Sequence, residues 1–288
     1  MEPCQLDNFR CWFDSYTQRF FGEDEYVNAH LRLKQEHTRR TREEILYLAE
    51  RLTLDDHQKR IAEAVALLHD IGRFPQFAEY RTYNDARSVD HARLSVETLG
   101  RECVLDSLRR EERQWVATAI EHHSRKSLPK DLSGQALLFA KLIRDADKLD
   151  VFRVVLELHE RRREDPDGFS FETELPEKPE VSPEVLAAVM NGRLVDYAKL
   201  RTLNDMRLCQ IGWVYDMNFA AALERLTERG HLETLFAYLP QTPDVLAVRE
   251  KIREYVKARL EDVTNRESPK SLTHGPGNKA VRRTPRPR

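Results

Sequence analysis

The stretch LLHDIGRF, Leu67 to Phe74, sets His69 and Asp70 side by side at the end of the apolar run AEAVALL. An imidazole and a carboxylate can carry protons or hold a metal ion, and both are costly to enclose without a partner. Similar groups recur along the chain. His37 continues an apolar stripe through Leu33, Ile45, Leu48 and Leu52; His91 opens HARLSVETL; His122 and His123 end WVATAIEHH; and Asp145, Asp147 and Asp150 interrupt the apolar IRDADKLDVF. Taken singly, each is explained as a capped terminus, a surface ion pair or a satisfied core group. Together, histidines and aspartates recurring on inward faces or ends of successive helices point to a metal site, because buried charges persist when paired or metal-bound. Imidazole and carboxylate without thiolate suit one or two divalent ions, Mn, Fe, Co, Ni or Zn, with Mg an option at a second site.

The elements that must position these groups are helices. REEILYLAERL, DDHQKRIAEAVALL, EERQWVATAIEHH, the long run from Gly134 to Arg162 and NFAAALERLTERG carry apolar residues at three-and-four spacing, whereas alternating strand patterns are nearly absent. The chain reads as all-α, with ten or so helices. A carboxylate at Asp70 meets the unfavourable end of its helix dipole, and Gly72 is suited to the helix C-terminus. Asp147 and Asp150, three apart, share a helix face, while Asp145 points largely away from Asp147. Adjacent His122 and His123 diverge by about 100°, so both reach one centre only from a helix end or in different roles.

The expected organisation is an N-terminal helical segment, 1–29, then a ligand-bearing helical domain, 30–163. An exposed, proline- and acid-rich connection follows at 164–183, then a smaller C-terminal helical unit, 184–265, and a disordered basic tail, 266–288. The stretch 74–90 reads as irregular. It borders the ligand-bearing segments and carries Tyr80, Arg81, Tyr83 and Arg87, candidates for substrate recognition. In the C-terminal unit, Asn204, Asp205 and Arg207 sit among Leu, Met and Trp, as a cap over the pocket or as core packing with a buried ion pair.

Composition narrows the partners. With 47 basic and 49 acidic residues the formal charge is -2, which gives no global attraction to nucleic acid or an anionic membrane. The tail is basic but has no aromatic residues for stacking, and reads as a solvated terminus. Cys4, Cys11, Cys103 and Cys209 are scattered, no secretory leader is visible at the N-terminus, and no apolar run reaches the roughly 18 residues a membrane span needs. The expectation is a reduced, cytoplasmic protein with no membrane contact. Homo-oligomerisation is left open. Outside the tail neither GxGxxG nor GxxxxGK[ST] is present, so a nucleotide would be held by other means.

The order of HTRRT, LLHDIGRF, DHA, EHH and DADKL over roughly residues 30 to 160 resembles the HD superfamily of metal-dependent phosphohydrolases. The resemblance implies an HD-domain helical bundle. It implies His37, His69, Asp70 and Asp147 as the first metal site, and Asp70 with His91, His122 and His123 as candidates for a second. Asp147 is preferred to Asp145 because the family's ligand is the acid of the Ala-Asp-Lys-Leu stretch, here residues 146–149. No GYP element follows EHH, which separates the chain from cyclic-dinucleotide hydrolases, and Leu33 stands where a trinuclear site would want glutamate.

The implied activity is hydrolysis of a phosphomonoester or phosphodiester, a small-molecule substrate that includes nucleotides among its candidates, by a metal-activated water with Asp70 bridging two cations. Arg73, which follows the HDIG turn, and Lys148, with Arg125 and Lys126, are candidate phosphate contacts; whichever of His122 and His123 does not bind metal is the candidate proton donor to the leaving group. Two alternatives remain at this stage. One is a helical di-iron oxygenase of the same superfamily, using His37, His69, Asp70, His91, His122 and Asp147. The other is a non-catalytic signalling module.

Overall fold

A computed structural model describes residues 1–165 and 175–267, with side chains through 262. Its helices are α1 (Pro3–Gln18), α2 (Glu25–Arg51), α3 (Asp56–Leu68), α4 (Arg73–Tyr80), α5 (His91–Arg101), α6 (Arg110–His122) and α7 (Gly134–Glu164). They continue with α8 (Pro183–Met190), α9 (Leu203–Ile211), α10 (Ala220–Glu228), α11 (His231–Ala237) and α12 (Pro243–Glu267). Short 3-10 turns link several of them, and no strand occurs among the described residues. The fold is all-α, as the periodicity requires.

Local chemistry sets the starts of the helices that matter for the site. The Asp24 carboxylate accepts from the Val27 amide at 3.1 Å ahead of α2. Asp55 and Gln58 form a reciprocal capping box on α3, at 2.8 and 3.1 Å. Asp90 accepts from the Arg93 amide at 3.1 Å, which fixes the first turn of α5 with His91 at its opening. Each cap satisfies an amide that the helix leaves unpaired.

The centre of the bundle is α3, buried at every position from Ile61 to Gly72. Around it α1, α2, α6 and α7 pack, and α7 also packs against α10 and α11, so one continuous apolar core joins both halves of the chain. The charged Glu63 within that core is offset by Arg10, at 2.6 Å, and Arg42.

Two local expectations are corrected. The segment 74–90 is not irregular throughout: α4 occupies Arg73–Tyr80, with Pro75 in its first turn, where a missing amide proton costs nothing. Only 81–90 is irregular, around a 3-10 turn at Asp85–Arg87. Nor does Gly72 terminate α3 in a left-handed conformation. It precedes α4 with φ -64°, and its lack of a side chain serves packing, since a Cβ there would stand 2.4 Å from the His91 carbonyl oxygen and 2.8 Å from the Ser95 amide. Part of the connection (166–174) and most of the basic tail (268–288) lie outside the described residues; residues 266 and 267 close α12.

The polar residues of α9 clamp the chain entering the C-terminal unit. Asp205 accepts from the Ser182 amide and hydroxyl, both at 2.7 Å, and from the Arg201 amide at 2.8 Å. Asn204 donates to the Lys178 carbonyl at 2.8 Å, and Arg207 pairs with Glu177 at 3.2 Å. This is the packing alternative; other residues of α9 face the pocket.

Candidate metal centre

Two helix bodies and three helix ends bring six side chains together. His37 comes from the middle of α2, His69 and Asp70 from the turn after α3, His91 from the start of α5, His123 from the end of α6, and Asp147 from α7. Every one of the four imidazoles uses its Nδ1 for support. That of His37 meets Asp150 Oδ2 at 2.7 Å, and that of His91 meets Asp85 Oδ2 at 2.6 Å. Those of His69 and His123 reach the carbonyl oxygens of Ala66 at 2.8 Å and Ile120 at 2.7 Å. The last two are possible because carbonyls in the final turn of a helix have no helical partner. Each acceptor is an oxygen without a proton, so Nδ1 donates and the Nε2 lone pair is left to face the centre.

What those lone pairs face is more acceptors. Asp70 Oδ2 lies 3.7 Å from both His37 Nε2 and His69 Nε2; Asp70 Oδ1 lies 3.4 Å from His91 Nε2 and 3.6 Å from His123 Nε2. Asp147 Oδ1 stands 3.1 Å from His37 Nε2 and 3.9 Å from His69 Nε2. The Nε2 atoms of His91 and His123 are 3.1 Å apart. His37 Nε2, His69 Nε2 and Asp70 Oδ1 are buried and make no hydrogen bond. Buried acceptors turned on one another repel unless something electropositive lies between them. Around one ion with bonds of ~2.1 Å, neighbouring ligand atoms stand ~3–4 Å apart, so the donor set fits. His37, His69 and Asp70 form one grouping and Asp70, His91 and His123 another, with Asp70 in both.

Electrostatics agree. Burial pushes the His69 imidazolium down to about 3 and that of His91 down to about 4, the latter helped by Arg73. Both rings are therefore neutral, as ligands must be. His37 is raised: burial and Lys34 oppose protonation, but the Asp147 and Asp150 carboxylates outweigh them. Asp70 is held well below the usual carboxylate range against the cost of burial by Lys34, His69, His123 and Arg73. Asp147 is lowered too, with burial overcome by His37 and the other imidazoles.

The remaining sequence candidates fall elsewhere. His122 belongs to neither grouping; it is half-exposed on the last turn of α6, and its carbonyl accepts from Arg144 at 3.2 Å. Arg73 does border the centre, with Nε 3.6 Å from Asp70 Oδ1. Its Nη1 is taken up by Gln76 at 2.8 Å, the Tyr83 carbonyl at 2.6 Å and Asp85 at 2.9 Å. Lys148 pairs with Asp216 at 2.7 Å and Arg125 with Asp90 at 2.9 Å, so neither stands ready for an anion. Two contributors, Lys34 and Asp85, escaped the sequence reading, and Asp150 was placed on the face of Asp147 without its role. Lys34 Nζ touches Asp70 Oδ2 at 2.9 Å; its spacing of three from His37 on α2 was the available signal. Asp150 supports His37 and is itself held by Arg40. Asp85 supports His91 from an irregular segment, where no periodicity marks it.

Two clefts reach the centre. One, of about 420 Å³, is bordered by Lys34, His37, Arg73 and Tyr83 and runs on along α7 to α9. The other, of about 400 Å³, is bordered by His123, Asp147, Lys148 and Asp216; both share Val151, Tyr197 and Trp213.

A family model described as HD domain matches residues 35–181, just over half of the chain. The chain belongs to the HD domain family. Comparisons with curated proteins and with solved structures found no match. The family includes metal-dependent hydrolases, and the His/Asp cluster is of a kind that could hold divalent metal. No helix is long and apolar enough to cross a membrane among the described residues.

Proposed function

We propose that the protein is a metal-dependent phosphohydrolase acting on a phosphomonoester or phosphodiester. The observation that carries this reading is that His37 Nε2, His69 Nε2 and Asp70 Oδ1 are buried, turned toward one another and without a hydrogen-bond partner. His37, His69, Asp70 and Asp147 would hold one divalent transition metal ion, and Asp70, His91 and His123 a second. Bound there, a pair of cations would acidify water and screen charge on phosphoryl oxygens.

The chain's own residues do the rest. Nδ1 hydrogen bonds to Asp150, Asp85 and two helix-end carbonyls orient the four imidazoles with Nε2 toward the centre. Lys34, at the mouth of the larger cleft, presents the positive charge nearest Asp70 to an incoming anion. Arg73 acts as a brace: it ties Asp70 to Asp85 and so couples the turn after α3 to the support of His91. His123 faces the centre, and His122 belongs to neither grouping.

The test combines elemental analysis of the purified protein with phosphate release from phosphomonoesters, phosphodiesters and nucleotides after loading with Mn, Co, Ni, Zn or Fe. Metal at one to two ions per chain with phosphate release that Asp70→Ala abolishes is the expected result. Equal rates in Asp70→Ala and the parent would show that this centre is not where hydrolysis occurs. Oxygen uptake by the iron-loaded protein without phosphate release would assign the same ligands to oxygenase chemistry.

A further inference from the structure

Resting on the hydrolase reading, we propose that the substrate's alcohol portion is long and predominantly apolar, an alkyl or alkyl-aryl phosphoester, and that it lies in the cleft along α7. The cleft begins at Lys34 and His37, which touch Asp70 and Asp147, so a phosphoryl group at the centre opens directly into it. Beyond that polar mouth its wall is mostly apolar, with Leu33, Val151, Val154, Val155, Leu158 and Met206, and with His159, Arg162 and Gln210 among its polar groups. On α7, Asp147, Val151, Val154 and Leu158 follow at spacings of four, three and four, and therefore form one stripe from the metal centre outward. Eleven residues at ~1.5 Å each make that stripe ~16 Å long. The wall is built and not merely a gap: at the far end Gln210, only 7% exposed, borders the cleft with its Oε1 buried and unpartnered, as does His159 with Nε2.

This composition discriminates among phosphoesters. A sugar or glycerol hydroxyl placed against valine, leucine and methionine loses its hydrogen bonds to water with nothing in return. An aliphatic chain in the same place gains from every methylene removed from water. The second cleft is lined by four cations, Arg125, Lys126, Arg144 and Lys148, the last two sharing Asp216, and has fewer aliphatic side chains, so it suits water or a departing polar product.

The experiment has a binding arm and a turnover arm on the full chain. Calorimetry of n-alkyl phosphonates from ethyl to decyl, with metal-free protein and below their micellar concentrations, should show affinity rising about two- to four-fold per methylene. Leu158→Glu should weaken decyl phosphonate at least ~10-fold, by placing a charge in the wall. If that variant does not fold, Leu158→Ala should reduce the gain with chain length several-fold. Affinity that is flat with chain length, or unchanged in the variant, overturns the inference. With metal-loaded protein, kcat/KM should climb along the alkyl phosphates and exceed that for glycerol phosphate and nucleoside 5'-monophosphates. Faster release from the polar substrates overturns the apolar substrate class and leaves the hydrolase intact. No release from any of them, with chain-length-dependent binding preserved, overturns the hydrolase reading and supports the cleft.

Discussion

Asp145 and Asp147 are two residues apart on α7, and both carboxylates are set into the protein, yet they belong to different regions with different physics. Asp145 faces the C-terminal half. It accepts from the Asn218 amide at 2.9 Å, the Asn218 side chain at 2.8 Å and the Phe219 amide at 2.8 Å, just ahead of α10. Burial raises its pKa in spite of those bonds, because the donors are neutral. Asp147 faces imidazole nitrogens, and its pKa falls against the same cost of burial. A buried acid whose lone pairs are met by backbone amides is a joint. One that confronts two imidazole Nε2 atoms, at 3.1 and 3.9 Å, has the placement a metal ligand would need. The two differ in their partners, and Asp147, with 22% of its side chain exposed, also borders open space where Asp145 has none.

The largest predicted effect separates the two acids by activity. Asp147→Ala should cost ~10³-fold or more in phosphate release, since it removes a ligand that anchors several kcal/mol of charge stabilisation. Its metal-free unfolding free energy should stay within ~1 kcal/mol of the parent, as measured by urea titration. The reverse outcome, lost stability with metal content and activity retained, would make Asp147 a second joint. Asp145→Ala should show the mirror image. Leaving the amides of Asn218 and Phe219 without their acceptor should destabilise by about 2–4 kcal/mol, while metal per folded chain is unchanged.

The same contrast holds between the two halves of the centre. The His37 support is deeply buried: Asp150 is 2% exposed and is gripped by Arg40. The His91 support, Asp85, sits on a 3-10 turn with a third of its side chain exposed, and Arg73 and Gln76 hold it at 2.9 Å each. Asp85→Asn should therefore weaken the second cation ~10–100-fold and leave the first in place. Titration with Mn should show one tight and one weakened site. Loss of both sites together would mean that the halves form a single unit through Asp70.

How far the sequence disclosed this follows from the same physics. The all-α fold and the clustering of the candidate ligands His37, His69, Asp70, His91 and Asp147 were legible because polar groups stood out against helical apolar periodicity and fell in a known order. The choice between His122 and His123 was not, since adjacent helix positions differ by ~100° and only the end of α6 decides which one turns inward. Lys34 was hidden among the surface-like charges of LRLKQEHTRR, although it shares a face with His37. Helix α4 was masked by Pro75 and by two flanking phenylalanines that read as loop. Asp85 had no periodic frame at all. Arg73 and Lys148 were identified as cations near the site, but only the fold reveals that Asp85 and Asp216 already engage them.

The smallest effect concerns pH and sharpens the view of Asp85 as a support. Burial resists its ionisation, but the hydrogen bond and charge of His91, with Arg73, bring it down to about 2. A carboxyl with a depressed folded pKa binds fewer protons folded than unfolded between that value and the unfolded ~3.9. Its contribution to stability is therefore complete above ~pH 5 and is lost as pH falls toward 2. The side chain is a third exposed, so solvent screening keeps that contribution modest. Urea unfolding of metal-free protein at pH 5, 4 and 3 should thus show Asp85→Asn less stable than the parent at pH 5, with the gap closing as pH falls. A gap that stays constant would mean that Asp85 acts on His91 through geometry alone, and that its charge adds nothing to how that ring is held.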